Sequence, residues 1–209
     1  MTGRGLPRTT DGAPPVAVQV WGDGALFTRP ELKVERVTYP VMTPTAAVGV
    51  LEAIFWKPEF QWRVVAIEVL NPIRQATIRR NETTDLASLS DAAAGRRRID
   101  TVATRVQRNT VYLTNVAYRI HAHVELRARA TKTAAAYRDQ FRRRVSRGAC
   151  FSQPYLGPRE FSAFFGDPDA TPPLDLARCP LGAPPPPNVF SPDGGRLAFP
   201  DDREVPDTQ

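Results

Sequence analysis

Tyr112-Leu113-Thr114-Asn115-Val116-Ala117-Tyr118-Arg119-Ile120-His121-Ala122-His123-Val124-Glu125-Leu126-Arg127-Ala128-Arg129 is the longest alternating run in this chain. Val116, Tyr118, Ile120, Ala122, Val124, Leu126 and Ala128 share one parity. Arg119, His121, His123, Glu125, Arg127 and Arg129 share the other. Successive side chains of a strand point to opposite faces, so the run predicts a central antiparallel strand. One face is apolar and buried, the other basic and exposed.

The flanking sequence supplies partners for that strand. Val16 to Trp21 alternates toward Gly22-Asp23-Gly24, which reads as a strand ending in a turn. A long connection, Arg29 to Met42, carries Lys33 and Arg36 and has the character of a ligand-contacting loop. Thr43 can cap a helix with Pro44 at its first position, and Ala47, Val50, Leu51 and Ile54 form its apolar stripe; Pro58 stops it. Trp62 to Leu70, rich in Val and Ile and closed by Pro72, is a second central strand. Residues 73–80 form the return arm of a hairpin, exposing Arg74, Arg79 and Arg80. A second helix is expected over 133–147, with Ala134, Tyr137, Phe141 and Val145 as its stripe. Arg142, Arg143, Arg144 and Arg147 sit in its last turn, where cations complement the helix dipole, and Gly148 ends it. Trp56 and Trp62 are expected in the core.

The order strand, helix, strand, strand, helix, strand is that of an α+β, ferredoxin-like (RRM-like) domain, an antiparallel sheet with two helices. We assign residues 1–15 to a flexible N-terminal tail and 16–163 to this domain. An irregular insertion near 83–105 has room for a short helix. Residues 164–209 form a proline-rich C-terminal extension, extended or loop-like, that includes Pro184 to Pro187.

Composition narrows the partners. Among 209 residues, 28 are Lys or Arg against 22 Asp or Glu, a net charge of +6 that raises the odds of a polyanionic ligand. Most of the cations are Arg, whose planar fork suits phosphate. Two cysteines, Cys150 and Cys179, without a C-x-x-C pair, argue against a disulfide scaffold or a cysteine-built zinc site. They favour a reducing cytoplasm. No apolar run is long enough to span a membrane, and the first fifteen residues lack the apolar stretch of a signal peptide.

Several blocks then occur in a specific order. Trp21-Gly22-Asp23-Gly24-Ala25-Leu26-Phe27-Thr28-Arg29-Pro30 precedes Lys33-Val34-Glu35-Arg36-Val37-Thr38-Tyr39 and Met42-Thr43-Pro44-Thr45-Ala46-Ala47. Leu51-Glu52-Ala53-Ile54-Phe55-Trp56-Lys57-Pro58 follows, then Arg79-Arg80-Asn81-Glu82, Phe141-Arg142-Arg143-Arg144 and Gln153-Pro154-Tyr155-Leu156-Gly157-Pro158-Arg159-Glu160-Phe161. Across residues 16 to about 163 the series resembles the CRISPR-associated RAMP proteins of the fifth Cas family, subtype I-C. The resemblance implies a ferredoxin-like domain with a small β-rich C-terminal extension. It also implies cleavage of the repeat in precursor CRISPR RNA with neither metal nor cofactor. The 5′ handle would stay bound, within a Cascade complex that includes a backbone RAMP and a large subunit.

Metal-free RNA cleavage requires a base for a 2′-hydroxyl, an acid for the leaving 5′-oxygen, and cations around the phosphate. In the family resembled, one implicated position lies in the block Ile54-Phe55-Trp56-Lys57-Pro58, as an aromatic or His. The other is a Lys-His or Lys-Tyr pair opening the second helix. Here they fall on Phe55, which has no titratable group, and on Ala136 and Tyr137. Tyr137 keeps a phenol, and Lys132, one turn upstream, is the substitute phosphate clamp; these two are the catalytic candidates. Lys33, Arg36, Lys57, Arg74, Arg79, Arg80, Arg142 and Arg143 are the RNA-binding candidates. Two other readings stay open: a catalytically silent subunit that holds the handle, and a metal-dependent hydrolase built on His121 and His123, which share a strand face.

Overall fold

The computed structural model describes residues 6, 12–32, 34–86, 88–96, 99–174 and 196–198. Its organising element is β4 (Arg105–Leu126), 22 residues long and seven residues longer at its start than the alternation suggests. β1 (Val16–Ala25) runs antiparallel along one edge of β4, from Val16↔Ala122 to Ala25↔Leu113. β2 (Phe60–Val69) takes the other edge from Phe60↔Leu126 to Val69↔Tyr118, and β3 (Gln75–Thr83) continues that edge from Gln75↔Leu113 to Thr83↔Arg105. The short β5 (Phe164–Gly166) pairs with β1, and β6 (Arg196–Ala198) pairs with β2. Sheet order is therefore β5-β1-β4-β2-β6, with β3 on β4. Its first four members are the ferredoxin-like set, and β5 extends the sheet past residue 163.

Two helices cover one face. α1 (Pro44–Ile54) starts where the Thr43 hydroxyl accepts the Ala46 N–H at 3.3 Å, with Pro44 in its first turn. α3 (Ala134–Ser146) starts in the same way, the Thr133 hydroxyl accepting the Ala136 N–H at 3.3 Å. Gly148, at a φ of 62° open to glycine, ends it. Val18, Val20, Ile120, Ala122, Val50, Leu51, Phe141 and Val145 join in a single core between sheet and helices. The five-residue α2 (Leu89–Ala93) buries nothing and lies at the far end of the β3–β4 ribbon, within the span read as an insertion.

β2 explains why its sequence lacks alternation. Between Val64 and Ala66 the register slips by one residue, a β-bulge. Trp62 and Val64 belong to the core before the bulge, and Ile67 and Val69 belong to it after, so parity inverts mid-strand.

Four expectations are corrected. Residues 73–80 are not the return arm of a hairpin with β2, because β3 pairs with β4 instead. Gly22-Asp23-Gly24 is no turn: β1 runs through it to Ala25. A Cβ at Gly24 would stand 2.8 Å from the Phe161 ring, so these glycines admit the 155–161 loop against the strand. Trp56, expected in the core, is 50% exposed, because α1 ends at Ile54 and the chain turns outward. Finally, the second face of β4 is not an exposed basic surface. His123 and His121 are buried, and Glu68 of β2 is only 1% exposed among them. The Arg119 guanidinium lies 2.7 Å from one Glu68 oxygen, and His121 Nε2 lies 3.3 Å from the other. Arg119 also donates to the carbonyls of Asp169 and Thr171 at 2.8 and 2.9 Å.

Gln19 clasps Asp169 from β1, donating to its carboxylate at 3.0 Å and accepting its N–H at 3.2 Å. The Leu174 N–H donates to Val69 O at 2.8 Å. Residues 169–174 are thereby stapled across the sheet, and Arg119 of β4 is spent on that staple. The Thr171 N–H and hydroxyl, then Gln19 and Arg119, hold the Asp169 carboxyl below the usual range. Its contribution is therefore present above the unfolded value and lost as pH falls through the folded one. Limited proteolysis is expected to find residues 167–174 protected at pH 7 and cut faster only below about pH 4. Asp169→Asn should remove that acid sensitivity.

Candidate active site

The site forms where β2 begins and β4 ends. Phe60↔Leu126 is the last pair of that ladder, and the chains beyond it remain tied together. The Arg127 N–H donates to Glu59 O at 2.9 Å, and Arg129 Nε donates to Pro58 O at 2.6 Å. The Thr131 hydroxyl reaches one Glu59 carboxylate oxygen at 2.7 Å. α3 opens three residues later, at Ala134, and one turn into it Tyr137 turns inward.

The Tyr137 ring is buried against Phe60 (centroids 5.0 Å apart) and Phe55 (6.5 Å). Its hydroxyl donates to the second Glu59 oxygen at 2.8 Å. The two positions singled out in sequence, Phe55 and Tyr137, are thus in contact. Phe55 is fixed further by the Arg144 guanidinium 5.3 Å over its ring, and by the Trp62 indole N–H donating to its carbonyl at 2.9 Å.

The electrostatics of the cluster assign protonation. The Thr131 and Tyr137 hydroxyls, with Lys57 and Lys132 nearby, hold the Glu59 carboxyl below its ordinary range despite partial burial. Burial, and then the hydrogen bond to Glu59, push the Tyr137 phenol upward. At neutral pH the site therefore presents a carboxylate and a protonated phenol, rimmed by the exposed cations Lys57, Arg129 and Lys132. Tyr137 is a donor here, not a base. A carboxylate that accepts a proton, beside ammonium groups that neutralise a phosphate, is a set suited to attack by a ribose hydroxyl.

The other candidates lie elsewhere. Lys33 falls outside the described residues. Arg36 approaches Glu82 at 3.7 Å, and Arg80 pairs with Glu160 at 2.8 Å, both on the β3–β4 ribbon. Arg74 and Arg79 are exposed on the same ribbon arm. From Arg108, opposite Arg80, to Leu126 the strand spans roughly 60 Å at about 3.3 Å per residue, so the ribbon cations belong to a separate surface. Arg142 pairs with Asp139 at 3.1 Å on the outer side of α3, and Arg143 beside it is exposed. Arg143, Arg144 and Arg147 line a shallow hollow of about 390 Å³ with Gln140 and Cys150. Of the sequence candidates among the described residues, only Tyr137, Lys132 and Lys57 converge.

His121 and His123 do not form the alternative hydrolase site. His121 is committed to Glu68, His123 is buried, and among the described residues no three His, Cys, Asp or Glu side chains stand together as metal ligands. Glu59 was missed by sequence reasoning. Its partners stand 72 and 78 residues downstream, and nothing within Lys57-Pro58-Glu59 marks it.

Comparison with known proteins matches residues 16–187 to a family model described as CRISPR-associated protein (Cas_Cas5). A Mannheimia succiniciproducens protein named CRISPR pre-crRNA endoribonuclease Cas5d is 42% identical over 172 residues, 78% of this chain and 76% of that protein. A Thermus thermophilus protein of the same name is 45% identical over 152 residues, 73% of this chain and 63% of its own length. Among solved structures, a CRISPR-associated protein aligns with a TM-score of 0.56 at 20% identity, covering 90% of this chain and 92% of its own. A functionally uncharacterized Streptococcus mutans protein aligns at 0.55 and 18%, covering 90% and 93%. These two likenesses concern the fold.

Proposed function

Because the chain belongs to the Cas5 family of CRISPR-associated proteins, we propose that it binds the repeat of precursor CRISPR RNA, cuts it once without a metal ion, and keeps the 5′ handle. In this reading it is a cytoplasmic subunit of a Cascade complex of subtype I-C, seated beside a backbone RAMP and a large subunit. Among the described residues no helix is long and apolar enough to cross a membrane.

The observation that carries the proposal is the convergence of Glu59, Tyr137, Thr131 and Lys132 at the end of the central ladder, against Phe55. Tyr137 contributes a fixed hydroxyl. Lys57 and Lys132 bind the scissile phosphate, and Lys132 is the candidate acid for the leaving 5′-oxygen. Arg142 and Arg143 on α3 extend the phosphate track, and Arg74, Arg79 and Arg80 with the Lys33–Arg36 loop serve a distant part of the RNA. Affinity rests on phosphate contacts and falls as salt rises.

The test is incubation of the purified protein with its cognate repeat RNA in EDTA. A single cut leaving a 2′,3′-cyclic phosphate is expected. Tyr137→Phe should slow it by about 10²-fold while leaving affinity for an uncleavable 2′-deoxy analogue unchanged. Phe55 supplies no reacting group, an observation that favours a second reading, the silent handle-binding subunit. Tight binding with no cut by the unmodified protein would establish that reading instead.

A further inference from the structure

We infer that Glu59 is the general base of the cleavage reaction, a role resting on the endoribonuclease reading. Three observations lead to it. First, a carboxylate lies within a rim of cations that otherwise suits only phosphate. An acidic group there repels the ligand, and is expected only if it has chemical work to do. Second, its orientation is fixed at both oxygens, by Thr131 at 2.7 Å and Tyr137 at 2.8 Å. Each carboxylate oxygen accepts more than one hydrogen bond, so one hydroxyl donor on each leaves lone pairs for an incoming 2′-hydroxyl. Third, the residue next to it, Phe60, opens β2, and the backbone carbonyl of Glu59 accepts the Arg127 N–H at 2.9 Å. The carboxylate thus stands on a rigid strand end.

The alternatives within reach already carry a proton. The Tyr137 phenol is held protonated, and Lys57 and Lys132 are exposed ammonium groups. In the step, the 2′-oxygen forms a bond to phosphorus while its proton passes to a Glu59 oxygen. The bond from phosphorus to the 5′-oxygen breaks, and that oxygen takes a proton from the Lys132 ammonium. The products are a 2′,3′-cyclic phosphate and a 5′-hydroxyl. Solvent then removes the proton from Glu59 and restores that of Lys132. Tyr137 and Thr131 act as positioning residues that keep the carboxylate aimed.

The experiment compares the full chain with Glu59→Gln, which keeps the shape and one acceptor oxygen, offers an amide N–H to the other of the two hydroxyls, and cannot take a proton. Thermal melting first confirms that the two are equally folded. Single-turnover cleavage should fall by about 10²- to 10⁴-fold. Affinity for a 2′-deoxy repeat should be unchanged or higher, since a like charge has gone. A substrate with sulfur at the leaving 5′ position needs no proton on departure. It should restore cleavage to Lys132→Ala but not to Glu59→Gln. If the unmodified chain cuts and Glu59→Gln cuts within about threefold of it, or if the sulfur substrate rescues Glu59→Gln, the role assigned to Glu59 is wrong. If the unmodified chain binds without cutting, it is the endoribonuclease reading that fails. Should Glu59→Gln melt early, Glu59→Asp decides. It keeps the charge but draws the carboxylate back, and a base role requires slow cleavage with an unchanged Kd.

Discussion

Glu68→Ala is expected to destabilise the protein by about 3–5 kcal/mol, the cost of removing one member of a buried charge cluster. Glu68 is 1% exposed and faces the Arg119 guanidinium at 2.7 Å and His121 Nε2 at 3.3 Å. Without it, among the described residues Arg119 keeps Asp169 and the carbonyls of Asp169 and Thr171, at the margin of the sheet. His121 keeps its burial and loses its anion. For a chain of this length the loss corresponds to a fall in Tm of roughly 6–20 °C. Glu68→Gln retains an acceptor and should cost less. Urea denaturation reads both. A midpoint for Glu68→Ala indistinguishable from the unmodified chain would mean that the cluster contributes nothing net. Because the residue is remote from the Tyr137 site, RNA cleavage at temperatures well below the lowered Tm should be unaffected.

Gly157→Ala is expected to cost about 2–6 kcal/mol, combining a strained backbone with an overpacked contact. Gly157 sits at a φ of 103°, and a Cβ there would stand 2.0 Å from the carbonyl oxygen of Leu26. Neither atom can retreat freely. The Leu26 N–H is bound to Leu156 O at 3.0 Å and the Leu156 N–H to Phe161 O at 2.8 Å, so the loop is laced to the end of β1. The variant should therefore detach the loop as a unit, loosening Tyr112 from Phe161, whose rings stack 5.5 Å apart, and the Arg80–Glu160 pair. Hydrogen exchange at Leu26 and Leu156 distinguishes this from uniform destabilisation. Protection lost there first is the expected pattern, whereas protection retained at both amides would show that the loop tolerates the methyl group. The groove beside this loop, about 420 Å³ between Thr43, Ala46 and Tyr155, depends on the same docking.

How much of this was readable in advance depends on the range of the interactions. Caps and stops are local: Thr43, Pro44 and Gly148 each act within one turn, and both long helices lie where the sequence put them. Alternation in β4 named the face that meets the helices, because apolar side chains at period two have one way to be buried. The same alternation misdescribed the opposite face. Arg119 and His121 look like solvated cations until Glu68, 51 residues upstream of Arg119, is brought beside them. The β2 bulge was illegible for a related reason. Its polar residues Gln61, Arg63 and Glu68 do change parity, but Glu68 is buried against Arg119 and His121, so within the sequence it marks no outward face.

The site divides in the same way. The sequence by itself determined the class of fold, the two capped helices, the basic character and the blocks Phe55 to Pro58 and Phe141 to Arg144 that carry the family resemblance. It also supplied Tyr137 and Lys132 as candidates. Only the tertiary structure decided that Tyr137 donates to a carboxylate, that this carboxylate is Glu59, and that Arg79 and Arg80 lie roughly 60 Å of strand away from it. The physical reason is that a helix cap or a strand face is written within a few neighbouring residues. A charge cluster is written in the pairing of β2 with β4 and the docking of α3, and exists only once the sheet has closed.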